Sequence, residues 1–234
     1  MPEYPLIFIH LPKTAGTSLR KTIQINYRPG ELFFMYGKNP DFHSVKELKQ
    51  LDQNRFAQYK IIMGHFPFSK KLFPFEDRRF VTILRDPVRR VISYYRHVMS
   101  RDEWKGREIS LQEYIESSGD IQLRNHQTRL LSGMKRDPIT EKHLEKAIRN
   151  LEKYFLHVGT SETFPQTIDR LHELLGWSKK KLFHENVTTN KQATTDYFSE
   201  DVLDRLREQN EYDIKLHECV TSRLAQNGEW RRPG

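Results

Sequence analysis

The chain has 234 residues, a formal net charge of +8 and one cysteine, Cys219. Apolar residues make up 36% of the sequence and aromatic residues 12%, which predicts a packed protein and excludes a disordered chain. A single cysteine excludes an intrachain disulfide. The surplus of lysine and arginine favours an anionic partner, such as a nucleotide, an acidic glycan or a nucleic acid.

The first apolar run, "PLIFIHL", is too short for a membrane span and lacks the basic leader of a signal peptide. We therefore expect no membrane span and a cytoplasmic location. The length favours one domain that covers residues 1–234.

The first half of the chain predicts three strands and two helices. The apolar runs at residues 5–11, 59–65 and 78–86 are typical of buried strands. A helix is predicted over 17–25. A second helix begins at Asp86-Pro87 and continues through "VRRVISYYRHVMSR", because proline is favoured in the first turn.

The second half predicts four helices, a fourth strand and a loop. Ser110 and Glu113 form a capping-box pattern for the first of these helices, and Thr140 is the expected cap of the next. The last helix is amphipathic, with a possible break near Tyr212. The helices are predicted over 110–117, 140–153, 163–177 and 199–227, the strand over 155–162 and the loop over 179–197.

The alternation of strands and helices predicts a three-layer, P-loop-like α/β fold, in which helices flank a mainly parallel central sheet. In such folds ligands bind at the carboxyl ends of the strands. Lys13, His65, Arg85 and Ser161 each follow a predicted strand closely. We therefore expect these four side chains to meet at one edge of the sheet.

The segment "HLPKTAGTS" joins the first strand to the first helix and is typical of a phosphate-binding loop. Backbone N–H groups at a helix start bind anions, glycine permits close approach, and hydroxyls and a lysine add donors. The motif is not a Walker A loop, because the lysine precedes the glycine. A tight turn without a ligand is the alternative. The candidate phosphate-binding residues are Lys13, Thr14, Ala15, Gly16, Thr17 and Ser18.

The segment "RDPVRRVISYYRH" places Arg85 at the end of a strand and Ser93 eight residues further on, in the following helix. An arginine can bind a phosphate through two parallel hydrogen bonds, and Ser93 could donate to the same group. By itself the segment also fits a basic surface helix. Together with the first loop it predicts two anion sites for one nucleotide.

These two segments resemble motifs of the sulfotransferases, in particular the carbohydrate sulfotransferases that include the heparan sulfate 2-O-sulfotransferases. "HLPKTAGTS" is similar to the 5′-phosphosulfate loop of that family, and the Arg85–Ser93 pair is similar to its 3′-phosphate motif. The resemblance implies 3′-phosphoadenosine 5′-phosphosulfate (PAPS) as the donor, a hydroxyl group as the acceptor, with a carbohydrate as the candidate class, and no metal requirement.

The resemblance also implies a catalytic role for His65, which follows the strand in "IIMGHFPF". Sulfuryl transfer to a hydroxyl needs a base, and histidine has a suitable pKa. Lys13 would stabilise charge on the oxygen that leaves. A hydrogen-bonded structural histidine is the alternative reading of His65. His97 is the second candidate for the base, and His10 is expected to be structural.

Two later segments resemble family segments close to the active site. In "NHQTRLLSG", Asn125, Gln127 and Arg129 could bind the donor or the acceptor, and a plain helix start remains open as the alternative. In "ENVTTNKQ", the resemblance implies a loop that covers the nucleotide, with Thr189 donating a hydrogen bond and Lys191 meeting a phosphate.

Two other functions remain open at this stage. A small-molecule kinase could share the fold, although the position of Lys13 and the lack of clear magnesium ligands argue against it. A non-catalytic protein could bind nucleic acid or another polyanion through its basic surface, with strong salt dependence. The Golgi members of the resembling family carry a membrane anchor and disulfides. Neither is seen here, which favours a cytoplasmic enzyme and leaves the acceptor open.

Overall fold

The computed structural model describes residues 4–37, 41–73, 75, 78–104, 106–179, 181, 183 and 198–230. Within these ranges the chain forms a five-stranded sheet in which every pair of neighbouring strands is parallel. The strands are β1 (Leu6–Ile9), β2 (Leu32–Met35), β3 (Ile61–Gly64), β4 (Arg79–Leu84) and β5 (Phe155–Thr160). Their order across the sheet is β2-β3-β1-β4-β5.

Ten α-helices connect and cover these strands in the described ranges. They are α1 (Gly16–Gln24), α2 (Val45–Leu48), α3 (Gln53–Gln58), α4 (Pro87–Met99), α5 (Leu111–Ser117), α6 (His126–Ser132), α7 (Glu141–Tyr154), α8 (Phe164–Leu175), α9 (Glu200–Gln209) and α10 (Glu211–Asn227). No helix in the described part of the chain is both long enough and apolar enough to cross a membrane.

The strands are buried on both faces, which makes the fold three-layered. In β1, Leu6 and Phe8 belong to one apolar cluster, whereas Ile7 and Ile9 belong to another. Successive side chains of a strand point to opposite faces, so the two clusters lie on opposite sides of the sheet. Helices α1 and α8 pack on the first side, and α6, α7 and α10 pack on the second. The predicted fold class is confirmed.

The predicted strands and helices agree with the structure within a few residues at each end, whereas β2, α2 and α3 are missing from the prediction. The apolar run Leu32–Met35 forms β2 at the edge of the sheet. Asp86 caps α4, and its Oδ1 accepts a hydrogen bond of 2.8 Å from the backbone N–H of Arg89. The predicted C-terminal helix is broken at Asn210, between α9 and α10.

Helices α6 and α10 cap each other through the side chains of Asp213 and Asn125. The carboxylate of Asp213 accepts hydrogen bonds from the backbone N–H groups of Gln127 (3.0 Å) and Thr128 (2.7 Å). In return, Oδ1 of Asn125 accepts from the backbone N–H groups of Tyr212 (2.9 Å) and Asp213 (3.1 Å). These bonds satisfy N–H groups that a helix start leaves without partners, so they fix α6 relative to α10.

Asp213→Ala should lower the free energy of unfolding by about 3 kcal/mol, because it leaves two buried N–H groups without an acceptor. Urea denaturation measures this loss. The exposed residue Glu208 on α9 offers a matched control, and Glu208→Ala should change the free energy by less than about 0.5 kcal/mol. Equal effects of the two substitutions would contradict the proposed role of the capping bonds.

Candidate active site

Five side chains that bear polar groups follow the carboxyl ends of the five strands. Tyr36 follows β2, His65 follows β3, His10 follows β1, Arg85 follows β4 and Ser161 follows β5. Because all five strands are parallel, these residues lie along the same edge of the sheet.

The loop from Lys13 to Ser18 turns sharply from β1 into α1. Lys13 and Ala15 both have left-handed backbone conformations, with φ values of 70° and 66°, and α1 begins at Gly16. The side chain of Thr14 is buried and donates a hydrogen bond of 2.8 Å to the carbonyl oxygen of Leu11. Thr14 therefore holds the loop in shape, and the half-buried Thr17 and the buried Ser18 follow it at the helix start.

Arg85 links the end of β4 to this loop. Its Nη1 donates a hydrogen bond of 3.0 Å to the carbonyl oxygen of Lys13. The half-buried Lys13 loses hydration here, and Arg85 and Arg101 lie close by. Burial is the main cause that lowers the pKa of its ammonium group, and the charges of the two arginines lower it further. Both cationic side chains of the predicted phosphate sites are therefore brought together.

The side chain of Gln127 fixes the backbone at Arg85. Its Oε1 accepts from the Arg85 N–H at 3.0 Å, and its Nε2 donates to the Arg85 carbonyl oxygen at 2.9 Å. Gln127 is fully buried on α6. Since Asp213 caps α6 at Gln127, the contact between α6 and α10 also holds Arg85 in place.

Ser93 is half-buried on α4, two turns after Arg85. The start of α4 is held by Glu162, whose Oε1 accepts a hydrogen bond of 3.2 Å from the backbone N–H of Asp86. Burial alone would raise the pKa of Glu162. The interactions with His217 and with the Asp86 N–H outweigh burial and lower the pKa to about 2. Glu162 is thus a charged structural partner of the start of α4.

His65 is an exposed residue that packs beside two other rings. Its centroid is 4.6 Å from that of His10 and 4.9 Å from that of Tyr36. More than a third of its surface is open to solvent. The surrounding protein still lowers the pKa of its imidazole below the ordinary value, which favours the neutral form at pH 7.

The glycine before His65 is required by the packing of the sheet. A Cβ atom at Gly64 would lie 2.3 Å from the carbonyl oxygen of Met35, so no side chain fits between β3 and β2. The backbone N–H of His65 also donates to this carbonyl at 3.1 Å. The sequence "MGH" therefore fixes the backbone of His65 against the end of β2.

His97, the second candidate for the base, is exposed on α4. Partial burial lowers the pKa of its imidazole, and the positive charges of Lys13 and Arg101 lower it further. The charge of Lys13 therefore acts on His97, which stays the second candidate for the base.

The three residues predicted to bind substrate have partners within the protein. Asn125 caps α10, Gln127 fixes Arg85, and the buried Arg129 forms an ion pair with Asp137. These contacts give each side chain a partner within the protein, and the role of the three residues in substrate binding stays a prediction. Thr189 and Lys191 lie outside the described residues.

Sequence reasoning missed two residues of this site. Tyr36 was missed because β2 was not predicted, although the run "LFFM" carried the signal of a short buried strand. His10 was assigned a structural role, and its contacts with Tyr36 and His65 were not expected. Cationic contacts add Arg20 to this part of the site, with its Cζ atom 5.4 Å from the ring centroid of Tyr36.

Comparison with known proteins identifies the family. The sequence profile of the sulfotransferase family matches residues 1–218, which is most of the chain. The chain belongs to this family, and the prediction of a PAPS-dependent sulfotransferase is confirmed. No curated protein sequence matches the chain.

Among solved structures, the mouse sulfotransferase SULT7A1 complexed with PAP is similar to this chain. The two chains share 11% sequence identity, with a TM-score of 0.48, and the match covers 93% of this chain and 89% of the mouse protein.

Proposed function

We propose that the enzyme transfers a sulfuryl group from PAPS to a hydroxyl group of a carbohydrate, with His65 as the base and Lys13 and Arg85 as the anchors of the donor. The observation that carries this proposal is the convergence of these three side chains at one edge of the sheet, where Arg85 contacts the loop of Lys13 directly.

The loop from Lys13 to Ser18 is proposed to hold the 5′-phosphosulfate of the donor. Its left-handed turns bring the start of α1 to the sheet edge, where backbone N–H groups and the helix dipole favour an anion. Thr17 and Ser18 are the hydroxyl donors at the helix start. Thr14 contributes its backbone, because its hydroxyl already bonds to Leu11.

Arg85 and Ser93 are proposed to bind the 3′-phosphate, the group that distinguishes PAPS from ATP. The backbone of Arg85 is fixed by Gln127, and only one of its guanidinium nitrogens is committed to Lys13 in the described part of the chain. The remaining N–H groups of Arg85 are available for an oxyanion. Thr189 and Lys191 are proposed to contribute from the later segment.

The chemistry is a single displacement at sulfur. The neutral imidazole of His65 accepts the proton of the acceptor hydroxyl as the new O–S bond forms. The bond between sulfur and the bridging oxygen of the donor breaks, and the charge that develops on this oxygen is stabilised by Lys13. The products are the sulfated acceptor and 3′,5′-ADP (PAP).

A carbohydrate acceptor is supported by the similarity of "HLPKTAGTS" and of the Arg85–Ser93 pair to motifs of the carbohydrate sulfotransferases. A cytoplasmic location and a single domain over residues 1–234 remain predictions from the sequence.

The two alternative functions predict different ligands. A kinase would bind ATP with Mg²⁺. In the described residues, no group of three or more His, Cys, Asp or Glu side chains is arranged to hold a metal ion. A polyanion binder would respond to total surface charge and would not distinguish Arg85 from a neighbouring exposed arginine.

Arg85→Ala should weaken the binding of PAP about tenfold or more and should spare the binding of AMP, which lacks the 3′-phosphate. The loss corresponds to at least one charge-assisted hydrogen bond. Isothermal calorimetry with both nucleotides measures it. Arg89 is exposed one turn away and serves as the control, so Arg89→Ala should change neither affinity more than about twofold.

Equal losses for PAP and AMP in Arg85→Ala would contradict the assignment of the 3′-phosphate. Equal losses in Arg85→Ala and Arg89→Ala would favour the polyanion binder.

His65→Ala should leave PAP affinity unchanged and reduce sulfuryl transfer by about a hundredfold or more, the range expected for loss of a general base. Transfer is measured with radiolabelled PAPS and the best acceptor from a screen of desulfated glycosaminoglycans and simple sugars. His97→Ala is the comparison and should retain most activity. The reverse order of the two effects would assign the base to His97.

A further inference from the structure

Three rings from neighbouring strands form a contiguous cluster at the active-site edge. The ring of His10 is 5.4 Å from that of Tyr36 and 4.6 Å from that of His65, and Tyr36 is 4.9 Å from His65. Strand β3 lies between β2 and β1 in the sheet, so the residue that follows β3, His65, is flanked by the residues that follow its two neighbours.

The imidazole of His10 is held from two sides. Its Nδ1 lies 3.0 Å from the hydroxyl oxygen of Tyr36, at hydrogen-bond distance. Its Nε2 lies against the phosphate loop, because a Cβ atom at Gly16 would be only 1.6 Å from it. Glycine is therefore the residue that the His10 ring permits at the start of α1. The ring cannot turn without losing the Tyr36 bond or colliding with the loop.

The surroundings of this pair favour the uncharged form of both side chains. Burial lowers the pKa of His10 well below the ordinary value, and the nearby His65, Arg20 and Lys13 lower it further. Burial likewise raises the pKa of the Tyr36 hydroxyl. The pair therefore does not compete with Lys13 or Arg85 for the charge of the donor.

We propose that Tyr36 and His10 are positioning residues for sulfuryl transfer. The Tyr36 hydroxyl fixes the ring of His10, and this ring forms the wall that sets the imidazole of His65 relative to Gly16 of the phosphate loop. This inference rests on the proposed function, in which His65 is the base and the loop binds the phosphosulfate.

The arrangement assigns different tasks to two histidines that look alike in the sequence. More than a third of His65 is open to solvent and thus to an acceptor, whereas His10 lies between the loop and Tyr36. A displaced base lowers the rate of transfer, because the base must lie within hydrogen-bond distance of the proton in the reacting complex.

Tyr36→Phe tests this directly, because it removes one oxygen atom and keeps the ring that packs against His65, His10 and Phe42. We expect kcat to fall about tenfold, with PAP affinity unchanged within about threefold, in the same PAPS transfer and calorimetric assays. Tyr59 packs on Phe33 and His43 away from the site, so Tyr59→Phe is the control and should keep wild-type kcat.

Two further variants separate positioning from general packing. His10→Phe keeps a ring but has no nitrogen, and the double variant His10→Phe/Tyr36→Phe should lose no more activity than His10→Phe alone, since the two residues act through one bond. His10→Asn places an amide near the position of Nδ1 and should recover part of kcat relative to His10→Phe.

A measurement without an acceptor completes the test. Imidazole ¹⁵N NMR of the PAP complex should give sharp His65 signals in the wild type, and Tyr36→Phe should broaden them or change the tautomer ratio. Wild-type kcat and wild-type His65 signals in Tyr36→Phe would overturn the inference. Parallel losses of kcat and PAP affinity would also overturn it, because they indicate general damage to the site.

The failure of the proposed function has a different signature. In that case the wild type itself does not bind PAP, or His65→Ala remains active. If the wild type binds PAP and His65→Ala is inactive, a silent Tyr36→Phe rejects the positioning role alone.

Discussion

The hydrogen bond from Nη1 of Arg85 to the carbonyl oxygen of Lys13 joins the two halves of the proposed donor site. It fixes the distance between the loop that follows β1 and the start of α4, and a nucleotide with phosphates at both ends of its ribose needs such a fixed distance. Two cations this close repel each other, and burial weakens their hydration. An anionic ligand would relieve both costs, which supports the proposal that a nucleotide with several phosphates binds here.

The geometry of this pair depends on contacts far from the ligand. Asp213 on α10 caps α6, α6 presents Gln127, and Gln127 binds both backbone polar groups of Arg85. On the other side of the loop, Tyr36 and His10 define the surroundings of His65. The proposed site lies at the edge of the sheet, and hydrogen bonds behind this edge fix the positions of its side chains, as group transfer requires.

Much of this site could be predicted from local sequence signals. Lys13, His65 and Arg85 each follow an apolar strand, and parallel strands end at the same edge. The roles of Asn125 and Gln127 could not be predicted from the sequence. Their partners Tyr212 and Asp213 lie 85 residues or more away along the chain. The third partner is the backbone N–H of Arg85, and a backbone group leaves no signal in the sequence. Tyr36 could be placed only by predicting β2, a four-residue apolar run that periodicity alone does not distinguish from a buried helix segment.

The most direct test of the central claim is a calorimetric titration of the wild-type protein with PAP, 5′-ADP and ATP, each with and without Mg²⁺. The donor site described here predicts micromolar affinity for PAP, weaker binding of 5′-ADP and ATP, and no effect of Mg²⁺. Preference for ATP with Mg²⁺ would contradict the two-phosphate assignment and favour a kinase. Absence of nucleotide binding under all conditions would contradict the role of Lys13 and Arg85 as donor ligands.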